Sequence, residues 1–511
     1  MASTHYPELK ALLREAALMN SVSSLLDWDQ ETYMPHAAAP MRSDQKSLVA
    51  TLAHERRTSP RLGELLAHCE SDKSLTKADS ESAANLREIR RDYDLATKLP
   101  KELVAEMAKV GSQAQEAWKV ARAASDFKAF LPWLTKMFDL SRKKAECYGA
   151  PAGGELYDAL LNEYEPGITA KEIDAIFTPL RKDLTDLVAR VAASKTKVST
   201  KCLELRIDPT QQHAFGQAVL AAMGFDLNAG RLDTTAHPFC SGLAAGDTRL
   251  TTRYRDEKFT DALYGTMHEG GHGLYEQGLP KMDGEKDAGL FGQPLADAVS
   301  LGIHESQSRM WENFVGRSKP FWKWALPKAQ KTLSPKLKKF EVKDLFAAVN
   351  TVKPSLIRVE ADEGTYNMHV MIRFELERAM LQGDLAPKDL PEAWNARYKD
   401  YLGIDVPDDR RGCLQDVHWS FGLVGYFPTY TLGNLYAAQL WEKINADLPD
   451  LSKDMGKGKF TDLREWLGTN IHRHGRRYRA SELCQRATGK PLSPTHLLQH
   501  LETKAAVVYG L

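Results

Sequence analysis

The chain has 511 residues, 68 Lys and Arg against 68 Asp and Glu, and six cysteines with no CxxC pair. The charge balance excludes an electrostatic draw toward nucleic acid or an anionic membrane, and the scattered thiols exclude a cysteine zinc fold or a dense disulfide framework. No stretch reaches the ~18 uninterrupted apolar residues of a membrane span, and the amphipathic start MASTHYPELKALLREAALMN lacks an apolar signal core, so a soluble, cytoplasmic protein is expected.

In chain order, apolar residues recur at three-and-four spacing over 7–27, 41–56, 81–96, 101–123, 128–148, 170–194 and 210–223, which predicts helices. Pro100 and Gly149 stand where such helices start and stop. From about 201 to 254 the pattern changes. CLELRID and TRLTTRY alternate in character and are rich in Thr and β-branched residues, with Gly242 and Gly246 between them, which predicts a small sheet. Further helices are expected over 260–277, from about 293 to 316, and over 343–382 and 461–479. With no repeat or flexible linker, the expected fold is mainly α. It is one large helical body with a deep groove, made of an N-terminal part (about 1–200), a small sheet (about 201–254) and a C-terminal helical part (about 255–511).

The helix over 260–277 is bracketed by Thr260 as N-cap and by Gly278 and Pro280, and it contains HEGGH. His268 and His272 are four apart, which puts both imidazoles on one helical face where a single Zn²⁺ can take both. Glu269, one step round, can hold a water on that metal without being a ligand. Gly270, Gly271 and Gly273 each cost about 0.8–1.0 kcal/mol against Ala in a helix interior. Such a loss points to something lying close to the helix backbone, either a packed neighbour or the substrate and metal.

A catalytic zinc needs a third protein ligand. The long HExxHxxGxxH signature is excluded, because Tyr275 and Gly278 stand where it requires Gly and His. Glu276 fails too, since eight residues from His268 is ~12 Å along the same helix axis. In the next helix, expected with Pro294 near its first turn and Gly316 just beyond its end, the segment HESQSR places Glu305 in the middle. Spacing leaves Glu305 open between a ligand presented across an antiparallel helix pair and an ordinary solvated glutamate.

These motifs, with LLDWDQETYMP (25–35), HPF (237–239), DTRLT (247–251), IRVEAD (357–362) and GCLQDVHW (412–419), resemble in order and spacing the metallocarboxypeptidases typified by carboxypeptidase Taq. The resemblance runs nearly end to end. It implies a mainly helical, groove-bearing fold with a small sheet beside the site, His268, His272 and Glu305 as metal ligands, and Glu269 as general base. It also implies Zn²⁺ or Co²⁺, a homodimer, and removal of single C-terminal residues with broad preference. A dipeptidyl-carboxypeptidase or oligopeptidase on the same scaffold, and a non-catalytic helical scaffold with a structural metal, stand as the alternatives.

If the substrate is a peptide C-terminus, a guanidinium fork suits its carboxylate. Arg358 is the leading candidate, against an intrahelical pair with Asp362. Arg249 competes for the same role or pairs with Asp247, and its strand suggests a sheet edge that pairs with the substrate backbone. His237, ahead of Pro238, is a candidate donor to the substrate carbonyl or carboxylate. His418 is another, with Asp416 orienting either it or a metal-bound imidazole. Tyr426 and Tyr430 are candidates to stabilise the oxyanion. The DWDQETYMP turn is read as architectural.

Overall fold

The computed structural model describes residues 5–235, 237–281 and 289–511. Helices dominate, and a three-stranded sheet is inserted among them, in agreement with the mainly α expectation. The chain packs into two compact units, one of Met1–Thr97, Ser199–Val349 and Leu440–Pro491, the other of Lys98–Val198, Asn350–Gln439 and Leu492–Leu511. Each unit is assembled from three separated stretches. That is why a linear reading met no linker.

The first unit begins with helix α1 (His5–Thr32) and helix α2 (Ala39–Arg57), packed on each other. Leu9 of α1 enters a core of Leu62, Leu65, Leu66, Cys69, Leu86 and Ile89. Helix α3 (Pro209–Met223) follows, with Pro209 in its first turn and the Asp208 side chain accepting from the Thr210 amide. Strands β1 (Gly230–Thr234), β2 (Cys240–Ala244) and β3 (Asp247–Thr252) then form a sheet in the order β1-β3-β2, with β1 parallel and β2 antiparallel to β3.

Two expectations about this region are met unequally. TRLTTRY contains most of β3. CLELRID is not a strand, although its burial alternates as the sequence does. It leaves a turn at 201–203 and continues without ladder pairing, with the Ile207 amide donating to the Asp256 carbonyl at 2.7 Å, before Pro209 starts α3. Period-two patterning reports an extended chain with one buried side, and ladder pairing is a separate matter.

Helix α4 (Phe259–Gly278) lies against the sheet and against α3, and helix α5 (Leu301–Arg309) packs on it. The contacts between α4 and the chain around α5 run in opposite order: His268 meets Glu312, His272 meets Glu305, and Glu276 meets His304. The pair is therefore antiparallel. The N-cap of α4 is Lys258, with no side-chain hydrogen bond, rather than Thr260. The helix expected from Pro294 is shorter too. A 3₁₀ turn at Pro294–Ala296 precedes it, Ser300 caps α5 by accepting from the Ile303 amide at 3.0 Å, and a π-helical turn, Met310–Gly316, follows.

In the second unit, helices Lys101–Ala124 and Phe127–Tyr148 pack on each other, and Tyr366–Gln382 packs against Phe127–Tyr148. The helix expected over 343–382 is broken. Helical residues occupy Val342–Val349, Arg358–Glu360 as a 3₁₀ turn, and Tyr366–Gln382, because Pro354 restricts its predecessor and removes a donor. The helix expected over 461–479, in the first unit, ends at Asn470, where Ile471 leaves helical geometry at φ −124° and ψ −62°, and Gly475 at φ 46° breaks the turn that follows.

Candidate metal centre and substrate-binding residues

α4 and α5 bring His268, His272 and Glu305 together in the first unit. Glu305 Oε2 lies 3.5 Å from His268 Nε2 and 3.4 Å from His272 Nε2. A tetrahedral ion with ligand bonds of ~2.0–2.2 Å separates its ligand atoms by ~3.3–3.6 Å, so this donor set fits a divalent metal. Among the described residues, these three form the group with metal-ligand spacing.

Their neighbours fix which atoms face inward. His272 Nδ1 is 3.0 Å from the His304 carbonyl, which can only accept, so Nδ1 carries the hydrogen and Nε2 offers its lone pair. His268 Nδ1 is 2.9 Å from Glu312 Oε2. Burial pushes the Glu312 carboxyl up, but Arg309, His268 and Arg317 outweigh it and hold it at about 2, so Glu312 is an ionised acceptor and His268 Nε2 is also free to bind. Burial, with His304 adding, holds His272 down at about 3. For His268 burial opposes charge, but Glu305 and Glu312 prevail and raise it. Glu305 is likewise kept well below the usual carboxylate range by Arg309 and His268, despite its burial.

Glu269 lies beside the group, 6% exposed. Burial above all, with Glu305 adding and His268 opposing, pushes its carboxyl up to about 7. Among the described residues no hydrogen bond to its carboxylate is formed. Glu276 is spent elsewhere, on His304 Nε2 at 2.9 Å and on Lys281, which agrees with its exclusion as a ligand.

The glycines of α4 are explained by protein neighbours on three sides. A Cβ on Gly271 would stand 2.5 Å from the Gln307 carbonyl oxygen and 2.7 Å from Ser308 Cα. One on Gly270 would meet Leu220 at 2.6 Å, and one on Gly273 would meet Phe225 at 2.7 Å. Small residues let α5 approach closely enough for Glu305 to reach both imidazoles.

The other sequence candidates fall into two groups. In the first unit, Arg249 makes a two-point pair with Asp247, both contacts at 2.9 Å, and lies 4.2 Å over the Trp28 ring. It sits on β3, the central strand, so the edges of the sheet are β1 and β2. With Tyr33 donating to Asp233 at 2.6 Å, the DWDQETYMP turn is tied to this sheet. His237 is exposed in the coil ahead of β2.

In the second unit, Arg358, His418, Tyr426 and Tyr430 gather around Asp416. Arg358 reaches Asp416 Oδ1 through Nε at 3.1 Å and Nη2 at 2.8 Å, and Tyr366 through Nη1 at 2.9 Å. Its guanidinium stacks 4.9 Å over Tyr430. His418 Nε2 is 3.2 Å from the Tyr430 hydroxyl, and the Tyr426 ring lies 5.5 Å from both. Burial and the adjacent Arg358 hold His418 at about 3.

Two expectations are corrected here. Arg358 does not pair with Asp362, because the broken helix separates them and Asp362 instead accepts from the amides of Lys353, Gly364 and Thr365. Asp416 orients neither a metal-bound imidazole nor His418 by a hydrogen bond. It holds Arg358 and Arg373, the latter at 2.6 Å, and stays 3.9 Å from His418 Nδ1. Sequence reading missed Arg309, Glu312, Arg317 and Arg373. The first two carried a signal, at four and seven residues beyond Glu305 on the same helical face.

The carboxypeptidase Taq (M32) metallopeptidase model matches residues 8–505. The chain is 44% identical to thermostable carboxypeptidase 1 of Thermus thermophilus and 36% identical to carboxypeptidase 1 of Bacillus subtilis, covering 99% of each chain in both comparisons. The solved M32 carboxypeptidase of Deinococcus radiodurans superimposes with a TM-score of 0.94 at 41% identity over the whole of both chains. Metal-binding spacing, a buried glutamate beside it and a match along nearly the full length agree, and the chain belongs to the carboxypeptidase Taq (M32) metallopeptidase family.

Proposed function

We propose that this enzyme removes single C-terminal amino acids from peptides, with broad preference, using one divalent metal held by His268, His272 and Glu305. The observation that carries the reading is the placement of Glu269 beside that triad, buried and, among the described residues, with no hydrogen-bond donor on its carboxylate. Zn²⁺, or Co²⁺, bound there would supply Lewis acidity and make water a nucleophile near neutral pH. Glu269 takes the proton of the attacking water at a carboxylate oxygen and passes it to the leaving amine. Its burial keeps that proton from bulk solvent. His268 and His272 stay oriented through their Nδ1 atoms, so the site need not reorganise during turnover.

Arg358 is assigned the substrate carboxylate, with His418, Tyr426 and Tyr430 as polar neighbours and Arg249 and His237 as weaker candidates. One observation favours the second reading, an oligopeptidase or dipeptidyl-carboxypeptidase: Arg358 already spends three of its nitrogens on Asp416 and Tyr366. The scaffold reading loses support because a structural zinc wants four protein ligands, and the group has three among the described residues.

A cytoplasmic location draws support from the cysteines, which are all unpaired. Among the described residues no helix is long and apolar enough to cross a membrane. A homodimer draws support from exposed Leu18, Val22 and Leu25 on one face of α1 and Leu48 and Leu52 on one face of α2. The test of the central reading is hydrolysis of blocked dipeptides with free and with amidated C-termini. Release of single residues, lost on amidation, is expected; cleavage that survives amidation supports the oligopeptidase reading instead.

A further inference from the structure

One guanidinium touches both sides of the metal group. Arg309 Nε donates to Glu305 Oε1 at 2.7 Å, and Arg309 Nη1 donates to Glu312 Oε2 at 3.2 Å. Glu312 Oε2 is the atom 2.9 Å from His268 Nδ1. Glu305 Oε2, the oxygen that faces both imidazoles, accepts from the Ser308 hydroxyl at 3.0 Å. The contacts trace a chain from His268 through Glu312 and Arg309 to Glu305. A metal at His268 and Glu305 would close it into a ring.

We propose that Arg309 is a positioning residue that makes Glu305 a one-oxygen ligand and couples its orientation to that of His268. The inference rests on the reading of His268, His272 and Glu305 as the ligands. A carboxylate chelates a metal through both oxygens only if both turn toward it. Oε1 is turned away and engaged by a charge-assisted hydrogen bond, which is about twice as strong as a neutral one. Two imidazoles and one carboxylate oxygen then fill three positions of a four-coordinate site and leave one for water or substrate. The residue must be arginine, because two different N–H groups of one rigid plane reach two carboxylates, which a single ammonium cannot match. Arg317 donates to Glu312 Oε1 at 3.1 Å and steadies the far side of the same carboxylate.

The experiment uses full-length enzyme loaded with Co²⁺, comparing wild type, Arg309→Met, Arg309→Lys and Glu305→Gln by visible absorption, cobalt-edge X-ray absorption and kinetics. A four-coordinate Co²⁺ absorbs more strongly than a five- or six-coordinate one. Arg309→Met is expected to bind one metal per chain with one more oxygen neighbour, a cobalt band several-fold weaker and a lower kcat at nearly unchanged KM, with Arg309→Lys intermediate. A cobalt band and coordination number in Arg309→Met identical to wild type would overturn the proposal. If Arg309→Met does not fold, Arg309→Lys is read the same way, and a wild-type spectrum there overturns it. A full cobalt band retained by Glu305→Gln would instead remove the ligand assignment on which the proposal rests.

Discussion

Glu312 Oε2 stands 2.9 Å from His268 Nδ1, and two arginines, Arg309 and Arg317, hold the same carboxylate. The proposed ligand atom of His268, Nε2, is therefore set by a residue outside the proposed ligand set. Glu312→Gln keeps an acceptor oxygen and the shape but removes the charge, and such outer partners typically contribute 10–100-fold in metal affinity. A weakening of about that size is expected in competition with a chelator, and an unchanged affinity would reduce this contact to packing.

Glycine substitutions should separate close packing from simple helix propensity. Gly271→Ala puts a Cβ against the backbone of Gln307 and Ser308, and overpacking of that kind costs about 1–3 kcal/mol. Gly468 lies in the helix Thr461–Asn470 with no heavy atom within 4 Å of an added Cβ. Gly468→Ala should stabilise by about 0.5–1 kcal/mol. Denaturant midpoints that move in opposite directions, with weaker metal binding only for the first, are the expected outcome.

Metal binding should lose strength on acidification with the slope of one proton. His268 is raised above its ordinary value, so a proton competes with the metal there as pH falls through and below that raised value. His272, held at about 3, is already neutral across pH 5 to 8 and adds no competition. Glu305 and Glu312 lie low enough to stay ionised. The dissociation constant should rise about tenfold per pH unit below the His268 value. A hundredfold rise per unit, read by cobalt titration, would show that both imidazoles titrate.

Arg358→Lys keeps a positive charge but loses the planar fork. Hydrogen bonds to a charged group contribute about 1.5–3 kcal/mol, so kcat/KM on peptides with a free C-terminus should fall about 10–100-fold. Amidated peptides should show no comparable change. An equal loss on both substrates would make Arg358 a support for Asp416 rather than the carboxylate receptor.

The sequence carried the site's first half openly. His268 and His272 share a face by spacing alone, and three costly glycines marked the helix as closely approached. Glu305 was different. Its spacing fitted a solvated glutamate equally well, because ligation depends on how near α5 comes to α4, a tertiary distance set by the Gly271 contact. Arg309 and Glu312 shared the helical face of Glu305 but look like an ordinary surface charge pattern until burial is known. The helix breaks at Pro354 and Gly475 were written in the sequence and overridden by the long apolar periodicity around them. CLELRID misled for the opposite reason, since alternation without a strand partner gives an extended edge and no ladder. Asp416 could not be assigned from sequence, because its partners Arg358 and Arg373 lie 58 and 43 residues away along the chain.

Glu269 is the group proposed to move the proton. The most direct measurement is therefore kcat for Glu269→Gln at neutral pH, with metal content determined on the same sample. General base catalysis typically contributes about 10²–10⁴-fold, and a loss in that range with one metal per chain retained is the predicted result. Near-wild-type turnover in the metal-loaded variant would contradict the mechanism.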